Sequence, residues 1–331
     1  MKTVRLTAQL FLDPTSFNTL SNMAKESKYD NLKYFPVSVL FHALALLPFR
    51  ALYAISDVMY IFVYYIFKYR RKVAENNIDE SFPEKSKEER CKIVKDFYRH
   101  FCDIFVETIK LLHVSDDEMR RRVVFKNMEE VDKSVEQGRS IVMYAGHFCN
   151  WELMTTITLW SKHNPELVQF GQVYKPLKNA WFNKFFLKIR GRFNSESYPM
   201  KSVLRDLLKA RQNGKVTITG FISDQHPNRN DEDDVIMFLN HYTAFITGSE
   251  VIAKKMDMDA MCFDVKQTKR GYYECTIKVI SRAPKETKQY EITNSYARML
   301  ENMIKEQPSM WLWTHKRWKR KVSPKNANDN E

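Results

Sequence analysis

The stretch Ser140-Ile141-Val142-Met143-Tyr144-Ala145-Gly146-His147-Phe148-Cys149-Asn150-Trp151-Glu152 decides the fold. Its first half is a short apolar run with strand character, Gly146 permits a sharp turn, and Asn150-Trp151-Glu152 can open a helix. His147 then sits at the C-terminal end of a strand, where open α/β sheets place their ligands. Five positions later comes Glu152. An imidazole titrates near neutral pH and can take a proton from a hydroxyl, and a carboxylate on its far nitrogen fixes the tautomer and stabilises the imidazolium. The pair reads as a catalytic dyad, against the ordinary alternative of a loop histidine with a common hydrogen bond. Its company favours catalysis: a hydrophobic N-terminal segment, a strand ending in Ser223-Asp224-Gln225-His226-Pro227, and a closing Trp311-Leu312-Trp313-Thr314-His315-Lys316-Arg317-Trp318-Lys319.

Working outward, apolar positions at helical spacing over Ser86 to Val114 (Ile93, Phe97, Phe101, Ile104, Phe105, Ile109, Leu112) predict a long helix lying across the sheet. Strands are expected at Val123-Phe125, Ser140-Tyr144, Leu167-Val173, Lys215-Ser223 and Ala260-Val265. They alternate with helices at Met128-Glu136, Trp151-Trp160, Asn179-Arg190, Ser202-Gln212 and Ser249-Lys255. A second β-rich pair including Tyr272-Ile280 precedes a last helix near Thr293 to Lys305. Such alternation predicts an α/β fold with a mostly parallel central sheet flanked by helices. No Pro/Gly/Ser-rich linker divides the 331 residues, so one catalytic domain with a membrane-binding N-terminal element is the simplest division.

Val37 to Phe67 is the most apolar region and ends in Lys68-Tyr69-Arg70-Arg71-Lys72. Pro48, Arg50 and Asp57 interrupt it, so it is either one imperfect span or a helix lying partly in the membrane interface. The basic cluster would stay cytoplasmic by the positive-inside rule and keep everything after it cytosolic. The polar start before it argues against a cleaved secretory signal. The alternative is a long buried core helix. Lys and Arg number 53 against 40 Asp and Glu, a formal charge of +13, which favours anionic partners such as phospholipid surfaces, phosphorylated glycolipids or acidic carrier proteins. Nucleic acid competes on charge alone, but no nucleic-acid-binding motif accompanies it. Five scattered cysteines without a CxxC pair indicate reduced thiols, and Cys149 reads as a small apolar filler. No zinc-like ligand spacing and no P-loop or dinucleotide fingerprint occurs, so neither metal nor nucleotide cofactor is expected.

From about Phe35 to Lys319 the chain resembles the bacterial late acyltransferases of lipid A biosynthesis, within the lysophospholipid acyltransferase-like group. The resemblance rests on motifs in order: Asn77-Ile78-Asp79-Glu80-Ser81-Phe82-Pro83-Glu84, the Gly-His-Phe-x-x-x-Glu core, and Val173-Tyr174-Lys175-Pro176 with Arg190 downstream. Asp224-Gln225, the Phe238 to Gly248 stretch and Trp313-Thr314-His315-Lys316-Arg317 complete it. Lys175 stands where the family often has Arg, and Phe238-Leu239-Asn240 lacks the usual glycine. Glycerol-phosphate acyltransferases share a His and an acidic residue at this spacing but carry Pro-Glu-Gly on a later strand, which is absent here.

The resemblance implies transfer of a fatty acyl group from an acyl-carrier-protein thioester to a hydroxyl of a lipid A precursor at the inner membrane, with the catalytic domain on the cytoplasmic side. His147 would be the general base and Glu152 its orienting carboxylate. Substrate-binding candidates are Asn150, Tyr174, Lys175, Arg190, Asp224, Gln225 and Arg317. Arg190 and backbone amides after Phe148 are candidate oxyanion donors. The strip from Trp311 to Lys319 would grip phosphates or dock an anionic surface, its bland alternative being a solvated basic terminus. The implied division is a polar extension (1–35), a membrane-associated segment (36–72), an acyltransferase domain (73–321) and a polar tail (322–331). Acyl carrier protein, a glycolipid acceptor and membrane lipids are the implied partners, with no cofactor. A related acyltransferase acting on an aminolipid or lysophospholipid, and a non-catalytic lipid- or carrier-binding homologue, are the alternatives.

Overall fold

The computed structural model of the chain describes residues 28–227 and 234–323. Most of the expected N-terminal extension, and the tail beyond residue 323, lie outside the described residues. Nine strands are present among them: β1 Val123–Lys126, β2 Ile141–Ala145, β3 Val168–Tyr174, β4 Glu196–Pro199, β5 Val216–Ile222, β6 Val235–Phe238, β7 His241–Ala244, β8 Asp259–Lys269 and β9 Tyr272–Ser281. Seven make one sheet in the order β1-β9-β8-β2-β5-β3-β4. Every pair in it is parallel except the β8–β9 hairpin. The hairpin turns at Gly271, whose φ of +75° suits glycine. The fold is the expected α/β architecture with a mostly parallel sheet between helices.

β2 lies between β8 and β5 and is buried along all five residues, which is why its sequence is apolar at every position rather than alternating. Its register sets Ala145 opposite Ile222 of β5, so the two strands end together. The segments that follow them, carrying His147 and Asp224, leave the sheet at the same edge.

The long amphipathic helix runs Lys87–Lys110, started by a reciprocal capping box between Ser86 and Glu89. It buries Phe97, Ile104 and Ile109 of the expected stripe. The helix expected after His147 is wound as a 3₁₀ helix over Trp151–Trp160. Several elements depart from the sequence reading. The edge strand β4 reads Glu-Ser-Tyr-Pro and owes its conformation to pairing with β3 rather than to any apolar pattern. Helices Arg71–Ser81 and Asp116–Arg122 and the two-stranded β6–β7 ribbon were likewise unforeseen.

The apolar segment expected as one element folds as two helices, Lys28–Leu46 and Phe49–Tyr60, the second continuing through a π-wound turn, Ile61–Ile66. The break falls at Pro48, which caps the second helix in an extended conformation. Phe49–Ile66 is long and apolar enough to cross a membrane by length and composition.

Candidate active site

His147 emerges from the C-terminal edge of β2, and its imidazole Nδ1 lies 2.7 Å from Asp224 Oδ1. The other carboxylate oxygen, Oδ2, accepts from the His147 backbone N–H at 2.9 Å and from the Trp311 indole Nε1–H at 2.8 Å. Asp224 is buried, and burial alone would raise its carboxyl. The neighbouring imidazole and the donated hydrogen bonds win, and hold it down at about 2. It is therefore an anion throughout the physiological range. With Nδ1–H donating to Asp224, Nε2 carries the lone pair and faces Gln225 Nε2 at 3.2 Å. The Trp151 ring meets the imidazole edge-on, centroids 4.9 Å apart.

The carboxylate on the far nitrogen of His147 is thus that of Asp224, which corrects the sequence expectation for Glu152. Glu152 is buried, and its two oxygens take a bidentate pair from Arg190, Nε at 2.8 Å and Nη2 at 2.6 Å. The physical reason is the sheet register: β2 and β5 end together and bring Asp224 to His147, while Glu152, in the first turn of the 3₁₀ helix that Asn150 caps by accepting from the Glu152 N–H, gives both oxygens to Arg190. The guanidinium of Arg190, from the helix Ala180–Gly191, is engaged by this carboxylate, and the pair holds Arg190 charged in spite of its burial.

Asn150 is fully buried and not a surface ligand. Its side-chain amide also donates to Glu107 Oε2 at 2.9 Å. Glu107 was not singled out by sequence. It accepts further hydrogen bonds from Tyr53 at 2.9 Å and Tyr273 at 2.9 Å, and burial pushes its carboxyl up to about 7 against the pull of those donors. Tyr174 ends β3 and is half-buried, its carbonyl accepting from Met200, and Lys175 follows the strand and is exposed.

Gly146 sits in close approach to two side chains. A Cβ there would stand 3.0 Å from Leu300 and 3.2 Å from the Tyr296 hydroxyl, the latter donating to the Ala145 carbonyl at 2.6 Å. The left-handed residue in the loop is Cys149, φ +51°, whose thiol burial pushes well up, in keeping with a filler role.

The strip from Trp311 to Lys319 is also corrected in part. Trp311, Trp313, Thr314 and Arg317 are buried. Phe148 and Trp311 form an antiparallel bridge, with Cys149 N–H donating to Met310 and Leu312 N–H to His147. Asn77 fixes the strip from behind, donating to the Trp313 and His315 carbonyls. Arg317 donates to the Ala244 carbonyl and lies over the Phe245 ring, and burial brings it down to about 10. The tryptophans hold the His147 loop, so only the outer cations of the strip face solvent. Burial first, then the neighbouring His147 and Arg317, depress the His315 imidazole to about 3, so it is neutral.

A buried carboxylate–imidazole pair stands at the shared end of the central strands β2 and β5, with the second imidazole nitrogen facing Gln225. The sequence matches the model of the bacterial lipid A biosynthesis acyltransferases over residues 22–320. The chain belongs to that family. It is 21% identical over 263 residues to a lipid A biosynthesis palmitoleoyltransferase of Escherichia coli (strain K12), covering 76% of this chain and 79% of that protein. It is 22% identical over 281 residues to a lauroyltransferase of the same pathway and organism, covering 82% and 87%. A lipid A biosynthesis acyltransferase of Shigella flexneri is 21% identical over 263 residues.

Proposed function

We propose that the protein is a membrane-associated O-acyltransferase that moves a fatty acyl chain from an acyl-carrier-protein thioester to a hydroxyl of a lipid A precursor. The observation that carries the reading is the His147–Asp224 contact of 2.7 Å at the shared end of β2 and β5. His147 Nε2 takes the acceptor hydroxyl proton as that oxygen bonds to the thioester carbonyl carbon. The carbonyl π electrons pass to oxygen, and the tetrahedral intermediate collapses with cleavage of the C–S bond. The leaving thiolate takes the proton back from His147. Asp224 holds the ring in the tautomer that leaves Nε2 free and stabilises the imidazolium between the two transfers. Gln225, now beside Nε2, occupies the place where the acceptor hydroxyl must arrive.

Glu152 and Arg190 are positioning residues in this mechanism. Their ion pair ties the helix Ala180–Gly191 to the segment following His147. The basic surface suits both an acidic carrier protein and a phosphorylated acceptor. The inner membrane, with the catalytic domain on the cytoplasmic side, is the placement in which both substrates meet.

The test is transfer by the purified full-length protein from acyl-acyl carrier protein to a lipid A precursor, read by mass spectrometry, with a lysophospholipid as a parallel acceptor. Product from the lipid A precursor that disappears in His147→Ala is expected. Transfer only to the lysophospholipid would overturn the acceptor, and wild-type turnover in His147→Ala would overturn the chemistry.

A further inference from the structure

The helix Phe49–Ile66 is long enough to span, at about 1.5 Å per residue roughly 27 Å. Its contacts run along that whole length. At its start the Arg122 guanidinium lies 3.4 Å above the Phe49 ring. One turn on, the Tyr53 hydroxyl donates to Glu107, and Ser56 donates to Asp103 at 2.6 Å. Asp57 pairs with Arg270 at 2.7 Å, and Arg270 also holds Asp103. Near its end Tyr60 stacks under Arg99 at 5.0 Å, and Tyr64 packs on Tyr98, centroids 5.4 Å apart. All of these partners belong to the sheet hairpin, to helix Asp116–Arg122 or to helix Lys87–Lys110, whose outer face is densely charged. Lys110 Nζ donates to the Ala45 and Leu47 carbonyls and so clamps the bend between the two N-terminal helices to the same body.

The opposite face is bare. Ten of the sixteen exposed large hydrophobic side chains among the described residues fall between Phe35 and Phe67, including Val58, Ile61, Phe62, Tyr65 and Ile66. Such a concentration marks an interaction surface. Exposed cations accompany it: Lys68 and Lys72 follow the helix directly, and Lys92, Lys95 and Arg99 lie on the neighbouring helix, Arg99 over the Tyr60 ring. The last three line an open hollow in which Lys87 adds a fourth cation against Glu88 and Asp96.

We infer that the two N-terminal helices form one in-plane docking surface for an anionic lipid leaflet, and that Phe49–Ile66 lies in the interface rather than crossing it. A helix held side by side with the charged helix Lys87–Lys110 cannot enter hydrocarbon without carrying those charges in or abandoning the Asp103 and Glu107 contacts. An apolar face rimmed by cations is the form that binds an interface. The rim selects negatively charged head groups over a second copy of this equally basic chain. This deepens the membrane placement proposed above, and its test involves no turnover.

Two measurements decide it. In a Cys91→Ser background, single reporters Lys33→Cys, Arg50→Cys and Lys68→Cys are labelled with an impermeant maleimide in sealed membrane vesicles of either orientation. All three label from one and the same side if the helices lie in plane. Arg50→Cys and Lys68→Cys on opposite sides would overturn the inference while leaving the protein membrane-bound. The purified protein should also bind vesicles containing phosphatidylglycerol more tightly than vesicles of phosphatidylcholine alone, the difference shrinking as salt rises. The triple variant Ile61→Ser, Phe62→Ser, Ile66→Ser should bind at least ~10-fold more weakly, whereas Leu208→Ser, on a different face, should not. No vesicle binding with formation of a dimer through this face would overturn both this inference and the membrane placement.

Discussion

Asp224 and Glu152 are both buried carboxylates set against a basic partner, and they differ in what the partner leaves available. At the end of β5, Asp224 binds His147 through Nδ1 and leaves Nε2 outward, with Gln225 as its neighbour. On the 3₁₀ helix, Glu152 absorbs Arg190 through two parallel contacts, and both of its oxygens are consumed. In the proposed mechanism the first arrangement exchanges a proton with the substrate and the second positions the helix that carries Arg190. Nearness in sequence misleads here: the residue five positions from His147 serves the scaffold, and the one seventy-seven positions away serves the imidazole.

The sharpest way to break the comparison is to neutralise each carboxylate without changing its size. Asp224→Asn should lower kcat by a factor on the order of 10³ to 10⁴, because the amide no longer stabilises imidazolium and can enforce the wrong tautomer. Glu152→Gln should cost less in kcat and more in stability. Steady-state transfer assays and denaturant unfolding on the same preparations separate the two, and the reverse ordering in kcat would return the orienting role to Glu152.

Next in size is the consequence of leaving Arg190 unpaired. Glu152→Ala buries most of a guanidinium without its counter-ion, which should cost about 3 kcal/mol of unfolding free energy. Adding Arg190→Met should recover more than half of that loss. An additive double mutant would mean that the two side chains do not support one another. Arg190→Ala should likewise lose stability along with activity, in contrast to an arginine acting only on transition-state charge.

Asp224 and a third buried carboxylate, Glu107, which only neutral donors hold, carry opposite pH signatures. Asp224 is held at about 2, below its ordinary 3.8, so its contribution is fully present above 3.8 and is lost as pH falls through 2. Glu107 is pushed up to about 7 from 4.5, chiefly by burial, so its contribution is fully present below 4.5 and is lost as pH rises through 7. At 1.36 kcal/mol per unit, that loss is at most about 3 kcal/mol. Urea unfolding from pH 5 to 8 should show wild type losing stability relative to Glu107→Gln. Parallel curves would show that Glu107 is ionised in both states.

Much of this was legible in sequence, and the rest was not for identifiable reasons. The apolar run of β2 and the glycine after it are local signals, so the strand and the position of His147 could be read directly. Asp224 was visible as a polar residue after an apolar strand, but its partner depends on the register of β2 against β5, which no local pattern encodes. Glu152 is near His147 in sequence, but its partner, Arg190, comes from a helix thirty-eight positions on, and no local pattern encodes that pairing. Glu107 left a signal that was passed over: it is a carboxylate set in the apolar stripe of Lys87–Lys110, one helical step from Asp103 and Ile104. The Trp311 to Lys319 strip reads as surface by its charge, yet pairing with Phe148 draws its tryptophans inward.

The smallest effect tests whether that inward strip acts on the chemistry at all. The Trp311 indole, donating to Oδ2, gives the Asp224 carboxylate one of three hydrogen bonds, the other two coming from His147 itself, one to each oxygen. Trp311→Phe keeps an aromatic ring against Trp313, whose centroid is 4.8 Å away, and removes the N–H. A hydrogen bond to a charged group is worth about 1.5 to 3 kcal/mol, and only part of that bears on the transition state, so kcat should fall about 10-fold with KM unchanged. The cavity left by the smaller ring would by itself lower stability at every pH. The lost donor adds a second signature: the Asp224 carboxyl rises, and the acid limb of the stability curve begins at a higher pH than in wild type. A variant that loses stability evenly, with the acid limb unmoved, would show that Trp311 holds the loop through packing and its bridge to Phe148 alone. The His147–Asp224 pair would then be self-sufficient.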